Sequence, residues 1–262
     1  MNDNRKQARP SPVLLSSEAH KATKVAQRED FADFSDENLL SITIDEFAHA
    51  ASSFPLVFIK NGNTGEFHSC ALTGFEAGNN VYCATDNTQW EGIYVPKVIR
   101  RVPFSLGLDP NADKSLTVYV DENSSALSTE HGQALFDEQG EETAFLKSVK
   151  QELVHFYNAE LASQAFIKTL LDNKLLKEIE VIMQFDSSRS KRIKGLYTIE
   201  EEQLAALDES TIASFFKQQY FAPIYTMLAS ITQLNRMLRL HNQCMPEKIT
   251  SLNMRVASKD DL

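Results

Sequence analysis

The spacing of apolar residues changes part-way along the chain. Up to about residue 122 they come in short runs separated by turn signals. Thr43 and Glu46 form a capping-box pair, and Phe47, Ala50 and Ala51 then repeat at helical spacing. Pro55 ends that short helix, and Leu56 to Ile59 reads as a buried strand. Asn61-Gly62 and Thr64-Gly65 mark turns. HSCALTGFEA and VYCATD, separated by Gly78-Asn79-Asn80, predict a strand–turn–strand pair, and the alternating Leu116 to Glu122 predicts a further strand.

The second half carries mainly the 3.6-residue period. Phe145, Val149, Leu153, Phe156, Phe166 and Leu170 predict a long helix over Glu141 to Asn173, with Glu141 and Glu142 placed to complement its dipole. KEIEVIMQF and RIKGLYTI interrupt this with two strands. Short helices follow at Glu200 to Leu207 and Ser210 to Gln218, the second capped by Asp208 or Ser210. A final helix over Tyr220 to His241 sets Ile224, Met227, Ile231, Leu234 and Leu238 on an approximate heptad seam. The pattern predicts an α+β fold: an antiparallel or mixed sheet, from the first half and a mid-chain hairpin, covered by long helices of the second half. Residues 1–18 read as a flexible polar tail, 19–242 as one domain and 243–262 as a loose C-terminal tail.

Composition narrows the function. Of 262 residues 42% are hydrophobic, enough for one sizeable core. The formal charge of -10 disfavours nucleic-acid backbones and anionic membrane surfaces as partners. Cys70, Cys83 and Cys244 form no metal-like pair, which predicts reduced thiols in a cytoplasmic protein. The apolar run near the N-terminus is too short for a signal-peptide core, and the uncharged stretch Gln218 to Asn235 is broken by Gln, Thr, Ser and Pro223, so no membrane insertion is expected.

The least ordinary stretch is WEGIYVPKVIRRVPF, Trp90 to Phe104. It holds the only tryptophan, two prolines and two adjacent arginines among apolar neighbours. The prolines limit Lys97 to Arg101 to about one helical turn. On such a turn adjacent side chains point about 100° apart, so Arg100 and Arg101 do not clasp one ligand together. Each arginine is either a structural ion-pair partner, with Asp109, Asp121 or Glu122 as acceptors, or part of an anion site. Trp90 and Tyr94 are either packed on the sheet or a stacking wall beside the arginines. The candidate ligand-binding set is therefore Trp90, Tyr94, Arg100, Arg101 and Phe104, facing an anionic small molecule or an acidic partner motif.

No nucleophile–base motif, phosphate loop or dinucleotide fingerprint is present, and the six histidines show no metal-ligand spacing. No catalytic residue, metal or cofactor is therefore assigned. An enzyme on a small metabolite, with a site dispersed through the sequence, is the rival reading. The seam on the last helix serves either the core or a homodimer through Ile224, Ile231, Leu234 and Leu238.

The ordered series EFAHAASSFPLVF, WEGIYVPKVIRRVPF, LTVYVDE, GQALFDEQGEET and GLYTIEEEQLAAL resembles the SapC family of bacterial proteins over about residues 20–240. The family often has a plainer segment where this chain reads NGNTGEFHSCALTGF. The resemblance implies an association with surface-layer or nutrient-acquisition systems, and it supplies no catalytic residues. It is distinct from the peptide-transporter permease of the same name, which needs membrane spans this sequence lacks.

Overall fold

The computed structural model describes residues 11–26, 31–83, 89–110, 112–113 and 115–257. In chain order it begins with β1 (Pro12–Leu14), α1 (Ser17–His20), β2 (Lys24–Val25), β3 (Leu39–Ser41) and α2 (Phe47–Ala50). Then come β4 (Leu56–Lys60), β5 (Phe67–Leu72), α3 (Lys97–Arg100), β6 (Phe104–Leu108) and β7 (Leu116–Asp121). Two short strands follow, β8 (Leu127–Ser128) and β9 (Gln133–Ala134), and then the long α4 (Ala144–Asp172). The hairpin β10 (Leu176–Phe185) and β11 (Ser190–Ile199) precedes α5 (Glu201–Ala205) and α6 (Glu209–Lys217). The described chain closes with α7 (Phe221–Ser230), α8 (Leu234–Cys244) and β12 (Ile249–Val256). The architecture is α+β, with antiparallel sheets and several helices.

These elements fall into two compact units. The smaller comprises residues 1–33 and 97–158, the larger 34–96 and 159–262. The segment read as one domain, 19–242, contributes to both.

The larger unit is built on a six-stranded sheet in the order β12-β10-β11-β4-β5-β3. Its β10–β11 hairpin pairs along most of its length, and β4 joins it through Leu196↔Ile59 and Tyr197↔Phe58. Buried Phe58, Val181 and Met183 from the sheet meet Phe166, Ile224, Met227 and Met237 from the helices. This apolar burial is the main stabilising term. Thr43 opens a single 3-10 turn that runs into α2, and its N–H donates to the Glu46 carboxylate at 3.1 Å.

Two local expectations fail here. Val81–Cys83 is a turn with an isolated bridge from Cys83 to Trp90, not a strand, and residues 84–88 lie outside the described set. Side-chain bonds claim the segment instead. The Asn80 carboxamide donates to Phe34 O and accepts from the Tyr82 N–H, each at 3.0 Å, and the Tyr82 hydroxyl donates to Ser53 O at 2.6 Å. The final helix is also divided, with a 3-10 turn at Ile231–Gln233. Just before it the Ser230 hydroxyl donates back to Met227 O and accepts the Leu56 N–H at 2.9 Å, tying the helix to β4. On these helices Ile224 and Leu234 are buried in the core, with Ile231 and Leu238 partly buried against it. Much of the heptad seam therefore packs on the chain's own core, with Ile231 and Leu238 keeping part of their surface exposed.

Part of each expected tail is regular structure. Pro12–Leu14 pair with β7 in the smaller unit's sheet, ordered β1-β7-β6. Ile249–Val256 pair with β10 along Ile179 to Phe185. Arg255 of β12 reaches Glu180, which is 1% exposed, at 3.0 Å, and Lys194 stands 3.6 Å from the same carboxylate. A buried carboxylate needs such cations, so the pairing of β12 is specified in charge as well as in backbone.

The smaller unit adds a second three-stranded sheet, β8-β2-β9, and a core of Phe104, Val118, Val120, Leu135, Phe136, Leu146 and Leu153. The last two residues come from the first half of α4.

Candidate functional site

The five residues singled out in the sequence divide between the units: Trp90 and Tyr94 belong to the larger, Arg100, Arg101 and Phe104 to the smaller. The Trp90 indole N–H donates to the Tyr94 carbonyl at 2.8 Å, and its ring packs on Phe54 and Tyr82 at 5.9 and 6.0 Å. The Tyr94 hydroxyl donates to Glu46 Oε1 at 2.8 Å, and its ring stacks on His49 at 5.6 Å. The loop between them is anchored where the Ile93 N–H donates to the Ser53 hydroxyl at 2.8 Å and Arg236 donates to the Glu91 carbonyl. The polar atoms of both aromatic side chains are thus engaged within their own unit.

In the smaller unit α3 is the single turn that the prolines dictate. Arg100 is exposed, and the Arg101 guanidinium lies 4.8 Å above the Phe156 ring, a cation–π contact. Both arginines also take part in other interactions within the chain. Phe104 is buried in the core. Of the acceptors considered for the arginines, Asp121 receives the Ser11 and Asn123 N–H groups at 2.8 and 3.1 Å, and Glu122 stands 3.6 Å from His20 Nε2.

Two of the three cysteines are held unreactive. Burial pushes the Cys70 and Cys83 thiols up to about 12 each, far from the thiolate form. Among the described residues no group of three His, Cys, Asp or Glu side chains is placed to hold a metal ion.

A different site emerges in the smaller unit. An open cavity of about 470 Å³ lies where the β1–α1 junction, the loop after β9 and the first turns of α4 meet. Leu15, packed on the core, and Phe136 supply apolar wall. Ser16 and Ser17 supply hydroxyls, and Glu141, Glu142, Lys147 and Lys150 supply charge.

Local chemistry builds each wall. The Asp137 carboxylate accepts the Gln139 and Glu141 N–H groups at 2.9 and 2.8 Å, so the loop turns tightly at Gly140, whose φ of 85° suits glycine. The Thr143 hydroxyl donates to Ala134 O at 2.7 Å and accepts the Leu146 N–H at 3.2 Å, fixing the start of α4 beside β9. Ser16 caps α1 by accepting the Ala19 N–H.

The charges are not all satisfied internally. Lys150 pairs with Glu142. Lys147 and Glu141 have no ion-pair or side-chain hydrogen-bond partner among the described residues. His20 lies near, but its Nδ1 contacts the backbone N and O of Ser16 at 3.2 and 3.1 Å. That geometry directs the imidazole to the Ser16 backbone and not to its hydroxyl. The sequence left this site unseen because Ser16 and Ser17 fell in the presumed tail. Lys147 and Lys150, three residues apart on α4, were its one legible mark.

Fold and cavity together define an α+β protein of two compact units, the smaller carrying a mixed-charge cleft. Among the described residues no helix is long and apolar enough to cross a membrane. A model of the SapC family matches residues 15–237, and the chain belongs to that family. No curated protein and no solved structure matches it.

Proposed function

We propose that this chain is a non-catalytic accessory protein that binds a small molecule through an anionic group, and that the cavity of the smaller unit is its binding site. The observation that carries the reading is an exposed lysine, Lys147, lining a preformed cleft with no counter-charge of its own among the described residues. A lysine in that position gains a charge-assisted hydrogen bond when an anion arrives. The hydroxyls of Ser16 and Ser17 add donors, while Leu15 and Phe136 accept an apolar body. A role beside bacterial surface or nutrient-acquisition systems, and a cytoplasmic location, rest on the family resemblance and on composition.

The test is titration of the ¹⁵N-labelled protein with acetate, hexanoate and inorganic phosphate. Saturable shifts confined to the amides of Ser16, Ser17, Gly140, Glu141 and Lys147, lost in Lys147→Glu, support the assignment. Shifts centred on Arg100 and Arg101, or none with any anion, overturn it.

A further inference from the structure

The cleft presents one uncommitted charge of each sign, and this sets the kind of molecule that satisfies it. The Glu142–Lys150 pair cancels itself. What remains is the Lys147 ammonium on the helix side and the Glu141 carboxylate on the loop side, neither with a partner among the described residues. A simple anion answers Lys147 and leaves Glu141 facing a second negative charge across an open cleft, which is mildly unfavourable at these exposed positions. A simple cation makes the converse error. A molecule with a carboxylate and an ammonium on one frame answers both.

The rest of the lining completes the specification. Leu15 and Phe136 offer apolar surface, and Ser16 and Ser17 offer hydroxyls for an amide or a carboxylate edge. A volume of about 470 Å³ exceeds what a free amino acid fills and accommodates a short peptide. We infer that the ligand of this cavity is zwitterionic with an apolar side chain, a free amino acid or a short peptide, its carboxylate on Lys147 and its ammonium on Glu141. The inference rests on the cavity being the binding site as proposed above.

Calorimetry with matched probes separates the possibilities. L-leucine carries both charges, N-acetyl-L-leucine lacks the ammonium, and L-leucinamide lacks the carboxylate. L-leucine is expected to bind about two- to fivefold more tightly than either derivative, the size of one solvent-screened charge pair. Lys147→Met weakens L-leucine and erases its advantage over L-leucinamide. Glu141→Gln weakens it and erases the advantage over N-acetyl-L-leucine. Both side chains are exposed, so both variants fold. L-leucyl-L-leucine binding more tightly than L-leucine identifies the peptide form, and the reverse order the amino-acid form; both support the inference. N-acetyl-L-leucine binding as tightly as L-leucine overturns the zwitterion while leaving the anion site standing. Absence of binding by all four probes, together with acetate, hexanoate and phosphate, overturns both.

Discussion

Glu46 and Tyr94 give the sharpest measurement of what holds the Trp90 loop. Glu46 is 1% exposed, and its carboxylate accepts the Thr43 N–H at 3.1 Å and the Thr43 and Tyr94 hydroxyls, each at 2.8 Å. Glu46→Ala removes the acceptor of the Thr43 N–H and of the Tyr94 hydroxyl, while the Thr43 hydroxyl keeps the Asp45 carboxylate. Thr43 is itself buried, so its N–H is expected to lose most of the 1–3 kcal/mol that an unmet buried donor costs. Tyr94 is partly buried and recovers some hydration, which places its loss near the lower limit. The sum is about 3–4 kcal/mol. Tyr94→Phe removes one bond to a charged acceptor and leaves Glu46 its other contacts, a loss of about 1.5 kcal/mol. In the double variant the two costs do not add, and a coupling of about 1 kcal/mol or more is expected. Urea denaturation followed by tryptophan fluorescence is the assay. Trp90 is the only tryptophan and lies in the larger unit, so the signal reports directly on that unit. A Glu46→Ala loss below 1 kcal/mol, or strict additivity, refutes the argument. Tyr94→Phe is also expected to leave anion binding by the smaller unit unchanged.

Three further outcomes are expected. A Cβ at Gly74 falls 1.7 Å from the Asn79 carbonyl oxygen, so Gly74→Ala should cost more than about 3 kcal/mol, whereas Gly62→Ala, with nothing within 4 Å, should stay within about 0.5 kcal/mol; equal melting temperatures contradict this. Burial holds the His241 imidazole below its ordinary value, so the unfolded chain binds the proton first as pH falls; stability is full well above about 6.5 and declines below it until the folded site also protonates. Glu76 and Glu247, lowered chiefly by hydrogen bonds from Lys191 and Arg189 respectively, lose their contribution only at lower pH, so His241→Gln should flatten unfolding free energy mainly between about pH 7 and 5; an unchanged slope there refutes it. Native protein should release at most one fast equivalent of thiol to Ellman's reagent at pH 8, from partly buried Cys244, with Cys70 and Cys83 reacting only on unfolding.

Where local chemistry decides, the sequence was readable. Thr43 and Glu46 meet as their spacing demands, Lys97–Arg100 is the one turn its prolines permit, and the apolar period of α4 extends over the helix found. Where a distant partner decides, it was not. VYCATD alternates like a strand, yet Asn80 and Tyr82 bond to Phe34 and Ser53 and hold it as a turn. Ile249–Val256 is mixed in polarity because β12 lies at a sheet edge, and its carboxylate partner Glu180 sits far upstream. The tryptophan–arginine segment is unusual in composition, but tertiary contacts occupy its aromatic polar atoms. The cavity depends on Ser16 and Lys147 converging, which no local period encodes.

The strand order of the larger sheet bears on how the chain is made. A ribosome delivers β3, β4 and β5 first, and these three can pair as soon as they emerge. The free side of β4 then waits while the whole of residues 97–158 is synthesised, because its neighbour β11 comes later. Throughout that interval the nascent protein displays an open strand and the apolar face around Phe58. Slow translation, or a pause before the β10–β11 hairpin, therefore lengthens the period in which self-association competes with correct closure.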